Sequence, residues 1–131
     1  MNEPKPAVSK IRRHYPVISI VSDDFIHLAR ILEALEMFFP SHKLHSSWRW
    51  RPFAEHAAAV MHDVVVICSD NTESSDEIRA RLAQAAALCP EAKTIHYAAH
   101  QPATGTEDGY LIYPAHEALA RMIKAYLLPT A

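Results

Sequence analysis

His62-Asp63-Val64-Val65-Val66-Ile67-Cys68-Ser69-Asp70 is the stretch that decides how this chain folds. Val64 to Ile67 are four β-branched aliphatics in a row, with no alternating polar residue. Such a run predicts a strand buried on both faces. A strand covered on both sides is the middle of a parallel sheet flanked by helices. In these sheets ligands gather off the carboxyl ends of the strands, and here that end presents Cys68, Ser69 and Asp70.

Working outward, Tyr15 to Val21 predicts a first strand, with Pro16 at a tolerated starting position. Phe25, Leu28, Ala29, Ile31, Leu32, Leu35 and Phe39 then recur at three and four residues, predicting a helix that Pro40 stops. Ser22 or Asp23 is the expected cap. Between His42 and Arg51 the pattern alternates. Leu44, Ser46, Trp48 and Trp50 fall on one face, and Lys43, His45, Ser47, Arg49 and Arg51 on the other. We read a half-exposed edge strand whose Trp pair faces the core and whose basic face is solvated. A single-strand nucleic-acid platform is the alternative for that Arg/Trp interleaving. Pro52 opens a short helix from Phe53 to Met61.

Downstream of the central run, Ser74 or Ser75 caps a helix from Asp76 to Leu88, with two acids in its first turn. Lys93 to Ala99 predicts a fourth strand and Gly109 to Tyr113 a fifth. The segment between them is too short and broken for a full helix. A last helix runs from Ala115 to Leu128. Residues 1–14 read as a loose basic leader, 15–128 as one domain and 129–131 as a tail.

Composition narrows the functional classes. The chain has 131 residues and a net charge of −2, which gives no electrostatic case for nucleic acid or membrane binding. Its two cysteines, Cys68 and Cys89, lie in apolar surroundings, the pattern of reduced intracellular thiols. No signal peptide and no bilayer-length apolar run is present, so a cytoplasmic location is expected. With only two glycines, Gly105 and Gly109, no Gly-rich phosphate cradle can be built. The nine histidines show no close pair at ligand spacing on one helix, and they are expected to be scattered over the surface.

Strands alternating with helices predict an α/β fold, a flavodoxin-like three-layer sandwich with a five-stranded parallel sheet of order 2-1-3-4-5. That order brings Asp23, Asp24 and the Cys68–Asp70 cluster to one rim. The acid pair Asp23-Asp24, the strand Asp63-Val-Val-Val-Ile-Cys68, the small pair Ala98-Ala99 and Gly109-Tyr-Leu-Ile-Tyr-Pro114 follow in order. Together they resemble the receiver domain of two-component response regulators, over Tyr15 to Leu128.

The resemblance implies an acid pair for Mg²⁺, a phosphoacceptor aspartate, a hydroxyl and a lysine. By its register the phosphoacceptor position falls on Cys68, with Asp70 two residues late. The hydroxyl position falls on Ala98 and the lysine position on Tyr113. Neither can offset a phosphate's charge. The fourth helix is shortened or missing. What is implied is an atypical, degenerate receiver: no enzyme, no cofactor, and at most weak Mg²⁺ at Asp23 and Asp24. It would signal through contacts with a protein partner or an output domain.

The family's habit places the interaction surface at Tyr110, Tyr113, His116, Arg121 and Lys124, with a homodimer through the fifth strand and last helix. Nucleic acid would enter only through an output domain absent from this sequence. Whether the chain stands alone or belongs to a longer regulator stays open. Two alternatives are weaker. A shifted receiver using Asp70 misplaces a carboxylate by about 6–7 Å along a strand. A Cys68 enzyme lacks the arginine that a phosphatase loop needs, and nearby acids would raise its thiol pKa. A flavin site is disfavoured by carboxylates where phosphate needs amides.

Overall fold

The computed structural model describes residues 10–69, 74–98, 110–112 and 115–128, with the backbone alone at 75 and 110–112. The described strands and α-helices are β1 (Ile18–Ser22), α1 (Phe25–Leu35), β2 (Leu44–Trp48), α2 (Trp50–Ala59), β3 (Val64–Ser69), α3 (Ser75–Leu88), β4 (Lys93–Ala98), β5 (Tyr110–Ile112) and α4 (His116–Leu127). All four strand pairings are parallel, in the order β2-β1-β3-β4-β5.

β3 lies inside the sheet, between β1 and β4, and every one of its residues is buried. Its alternation divides the core in two. Val64, Val66 and Cys68 join Ile18, Ile20, Ile31, Leu35, Ile95, Tyr97, Leu119 and Ile123 on the face covered by α1 and α4. Val65 and Ile67 join Val21, Phe53, Ala57, Ala85 and Cys89 on the face covered by α2 and α3. The aliphatic run is therefore unbroken because both of its faces are dry.

The helices begin and end where local chemistry allows. Asp24, with an extended backbone, caps α1 by accepting from His27 N at 3.0 Å, so the cap is Asp24 and neither Ser22 nor Asp23. Ser74 caps α3 by accepting from Glu77 N at 3.1 Å, as one of the two expected caps. Leu28, Ile31 and Leu35 are the buried stripe of α1.

The region around Trp48 departs from the sequence pattern. β2 ends at Trp48 and α2 starts at Trp50, so Trp50 and Arg51 belong to the helix. Pro52 sits in the first turn, where its missing N–H has no intrahelical partner to lose. The alternation along β2 was real, but both faces of this edge strand are partly covered. Leu44 packs toward the α1 face, while Ser47 is buried on the α2 side. Trp48, expected in the core, is 44% exposed. Trp50 is half-buried against the α2/α3 cluster.

In the described part of the leader, Lys10, Ile11 and Arg12 make contacts with the rest of the chain. Ile11 forms an isolated parallel bridge with Val60, through Ile11 N to Ala59 O at 2.8 Å and Met61 N to Ile11 O at 2.9 Å. Lys10 pairs with Glu91 at 2.7 Å and donates to the Leu88 carbonyl. With Arg12 paired to Asp63 at 3.0 Å, residues 10–12 brace the amino-terminal ends of the strands. The expected shortening or loss of the fourth helix concerns 99–109, which lie outside the described residues.

Candidate functional site

The rim above β1, β3 and β4 is where the sequence places its functional residues. Ser22 organises the β1 end: its Oγ accepts from Asp24 N at 3.1 Å. Trp48 Nε1 donates to the Asp23 carbonyl at 3.0 Å, and Arg49 N donates to the Ser22 carbonyl at 2.9 Å. The ends of β1 and β2 are thereby fastened together.

The two acids are adjacent in sequence but committed to different tasks. Asp23 Oδ2 accepts from Arg81 Nη1 at 2.5 Å, drawing α3 against the rim. Asp24 Oδ1 serves the α1 cap. Arg81 also lies over the Trp50 ring, 5.5 Å from its centroid. A hollow of about 310 Å³ beside them is lined by Asp23, Glu77, Ala80, Arg81 and Gln84.

Cys68, at the position the resemblance gives to a phosphoacceptor, is buried and belongs to the cluster under α1 and α4. Ser69 Oγ and His96 Nε2 stand 2.7 Å apart. Ala98 pairs with Ser69 across the β3–β4 ladder and is buried. Asp70 and Tyr113 lie outside the described residues, and Tyr110 contributes a described backbone only. His116 is partly buried, with Nδ1 3.1 Å from Tyr97 Oη, and burial holds its pKa below the ordinary value. Arg121 stands 3.9 Å from Glu117, and the Lys124 ammonium lies 5.4 Å from the Phe38 ring centroid.

One exposed patch occupies this rim. Phe25 and Ile26 are 60% and 66% exposed. The Phe25 ring meets Trp48 edge-on, with centroids 5.5 Å apart, and the Arg49 guanidinium covers Trp48 at 4.3 Å. Arg49 has φ 84° and ψ 161°, a backbone region that glycine alone occupies easily.

The histidines are not all scattered, contrary to the sequence reading. His45 of β2, His56 of α2 and His62 of the α2–β3 connection converge, and a ring nitrogen of each lies within 4.8 Å of the others. His56 Nδ1 is 3.0 Å from His62 Nε2, and His62 Nδ1 is 2.8 Å from the Val60 carbonyl. That carbonyl can only accept, so His62 carries its proton on Nδ1 and presents a lone pair from Nε2. The rings of His45 and His56 stack 3.6 Å apart.

All three are neutral near pH 7. Burial, then the proximity of His56 and His62, lowers His45 to about 4. Burial lowers His56, helped by the Arg13 charge, and burial lowers His62 against the opposing pull of the Val60 bond. No periodicity links a strand, a helix and a connection. The only sequence signal was His56 and His62 straddling the end of one helix.

Comparison with known proteins gives the fold a neighbour and nothing finer. No family model matches the chain, and no curated protein matches it. It is similar to a solved structure described as a "putative pilus assembly-related protein" from Burkholderia pseudomallei. The TM-score is 0.63 at 16% sequence identity, covering 85% of this chain and 88% of that one. At this identity the likeness shows a shared α/β fold.

Proposed function

We propose that this chain is an atypical receiver-like module of flavodoxin-like fold that works through protein contacts and performs no phosphotransfer. The observation that carries this reading is the commitment of the acid pair. A receiver needs both carboxylates turned to one Mg²⁺, whose octahedral shell tolerates little distortion. Here Arg81 neutralises Asp23 and Asp24 caps α1. Cys68 faces the apolar core, and Ala98 has no hydroxyl to offer a phosphate. The acyl-phosphate chemistry lacks its electrostatic support, so no catalysis is assigned.

Output would then run through surface. The Phe25–Trp48–Arg49 rim supplies an exposed aromatic pair with an arginine over it, the residue types that anchor protein interfaces. Arg121 and Lys124 of α4 would supply the second surface for a partner, an output domain or a second copy, which the receiver resemblance extends to Tyr110, Tyr113 and His116. The neighbour's pilus-related description suits an assembly role for such a scaffold. No described helix is long and apolar enough to cross a membrane. The cytoplasmic location is proposed on the two cysteines, Cys68 and Cys89, in apolar surroundings.

The test is a titration with acetyl phosphate and Mg²⁺, followed by intact-mass spectrometry and two-dimensional NMR. The expected result is unchanged mass and an unshifted spectrum. A phosphoryl adduct on Asp70 would overturn the reading and establish the alternative, a residual receiver with Mg²⁺ at Asp23 and Asp24. That alternative requires Asp23 to release Arg81 and Asp24 to release its cap.

A further inference from the structure

We infer that His45, His56 and His62 form a three-histidine binding site for a borderline transition-metal cation, Zn²⁺ in the first instance. The site lies on the α2 face of the sheet, apart from the rim and independent of the receiver-like reading. Ser19, whose register partner in β2 is His45, is buried on the same face.

The donor set fits the ion. Neutral imidazole is a good ligand for Zn²⁺, with metal–nitrogen bonds of about 2.0–2.1 Å, and three protein ligands leave a fourth tetrahedral position to water. Hard cations prefer oxygen and would pass the site by. The His62 bond to the Val60 carbonyl is the supporting contact that ligating histidines usually have: it fixes the tautomer and aims Nε2. Ser19 Oγ stands 3.5 Å from His45 Nδ1; with Nδ1–H donating to that oxygen, Nε2 of the ring holds the lone pair for the metal.

Geometry sets what must move. Nitrogens around a tetrahedral ion at these bond lengths stand about 3.4 Å apart. His56 Nδ1 and His62 Nε2 already stand 3.0 Å apart, whereas the full set spans up to 4.8 Å. Two stacked rings cannot aim lone pairs at one point, so His45 must tilt out of its stack with His56. His45 and His56 are half-buried and leave a path for the ion.

His56 must also exchange tautomers. Its Nδ1 proton now bonds to His62 Nε2. Moving that proton to Nε2 through solvent frees the Nδ1 lone pair with no net proton release. Arg13 and Lys10 carry unfavourable charge nearby and Glu91 a favourable one. Once bound, the ion would clip the edge strand β2 to α2 and to the entry of β3.

The probe is ZnCl₂ added to tag-free full chain, with MgCl₂ as control, read by calorimetry and by ¹⁵N shifts of the histidine rings. The expected result is one Zn²⁺ per chain, with shifts at the ring nitrogens of His45, His56 and His62 and not at the other histidines. His45→Gln and His56→Gln should each weaken binding at least tenfold, and the double variant should abolish it. His62 is fully buried and is left intact, and unfolding curves of the metal-free variants check that they stay folded. The ring shifts of the unaltered protein decide the matter even if a variant fails to fold. No saturable Zn²⁺ uptake, uptake unchanged in the double variant, or shifts at other histidines would each overturn the site.

Discussion

Arg81 Nη1 meets Asp23 Oδ2 at 2.5 Å, tying the third helix to the end of the first strand over a separation of 58 residues. The side chains are 26% and 39% exposed, so water screens the pair and it contributes about 0–1 kcal/mol. Its consequence is electrostatic. A guanidinium sits where a divalent cation would need an unshared carboxylate. Arg81→Ala should lower stability by at most about 2 kcal/mol in urea unfolding, including the lost contact with Trp50. The same change should strengthen Mg²⁺ binding at Asp23 and Asp24, followed by amide shifts at those residues. Equal Mg²⁺ response in both proteins would remove Arg81 as the blocking group.

Asp24 permits a sharper separation of charge from cap. If its carboxylate matters as a helix cap, Asp24→Asn keeps the acceptor oxygen and should leave stability nearly unchanged. Asp24→Ala strands the His27 N–H and should cost about 1 kcal/mol. If the charge matters instead, the two variants would lose stability alike. Thermal or urea unfolding of the pair settles it.

Tyr97 and His116 supply a pH dependence. Tyr97 is fully buried; its hydroxyl accepts from Ala115 N at 2.5 Å and stands 3.1 Å from His116 Nδ1. Burial lowers the folded pKa of His116, so below about 6.5 the unfolded chain takes up a proton that the folded chain refuses. The His116 contribution to stability should therefore fall as pH drops below about 6.5 and level off once the folded group titrates. His116→Gln should flatten that part of the curve, measured as the difference between the two proteins. Tyr97→Phe should cost about 1–3 kcal/mol at neutral pH by orphaning Ala115 N.

These cases show where the sequence spoke clearly. Val64 to Ile67 announced two dry faces because β-branched aliphatics without polar interruption have no other comfortable place. Ser74 and the acids after it marked the start of α3 for an equally local reason. The misreading of Trp50 came from a pattern with two meanings. Alternation through Trp48 and Trp50 fits a strand, yet a single positive-φ residue, Arg49, turns the chain into α2 between them. The histidine cluster was hidden for a different reason: His56 meets His45 only through the packing of α2 over β2, a tertiary contact. The acids were legible as residues, but Arg81 at Asp23 is a tertiary contact that no spacing reveals.

Arg49 carries the last expectation. Its backbone, φ 84° and ψ 161°, is one that a side chain resists, at about 1–3 kcal/mol. Its guanidinium over Trp48 returns about 0.5–1 kcal/mol at an exposed site. Arg49→Gly removes both terms and should stabilise the fold by up to about 2 kcal/mol, because glycine accepts this backbone freely. Arg49→Ala keeps the strain and loses the stacking, so it should destabilise by about 0.5–1 kcal/mol. The ordering glycine, arginine, alanine in urea midpoints is the signature, and a glycine variant no more stable than the alanine one would refute the strain. If the strained residue is kept for contact with a partner, Arg49→Gly should be the more stable protein and the weaker binder. A crosslinking or pull-down comparison with Phe25→Ala and Trp48→Ala would then find all three defective together.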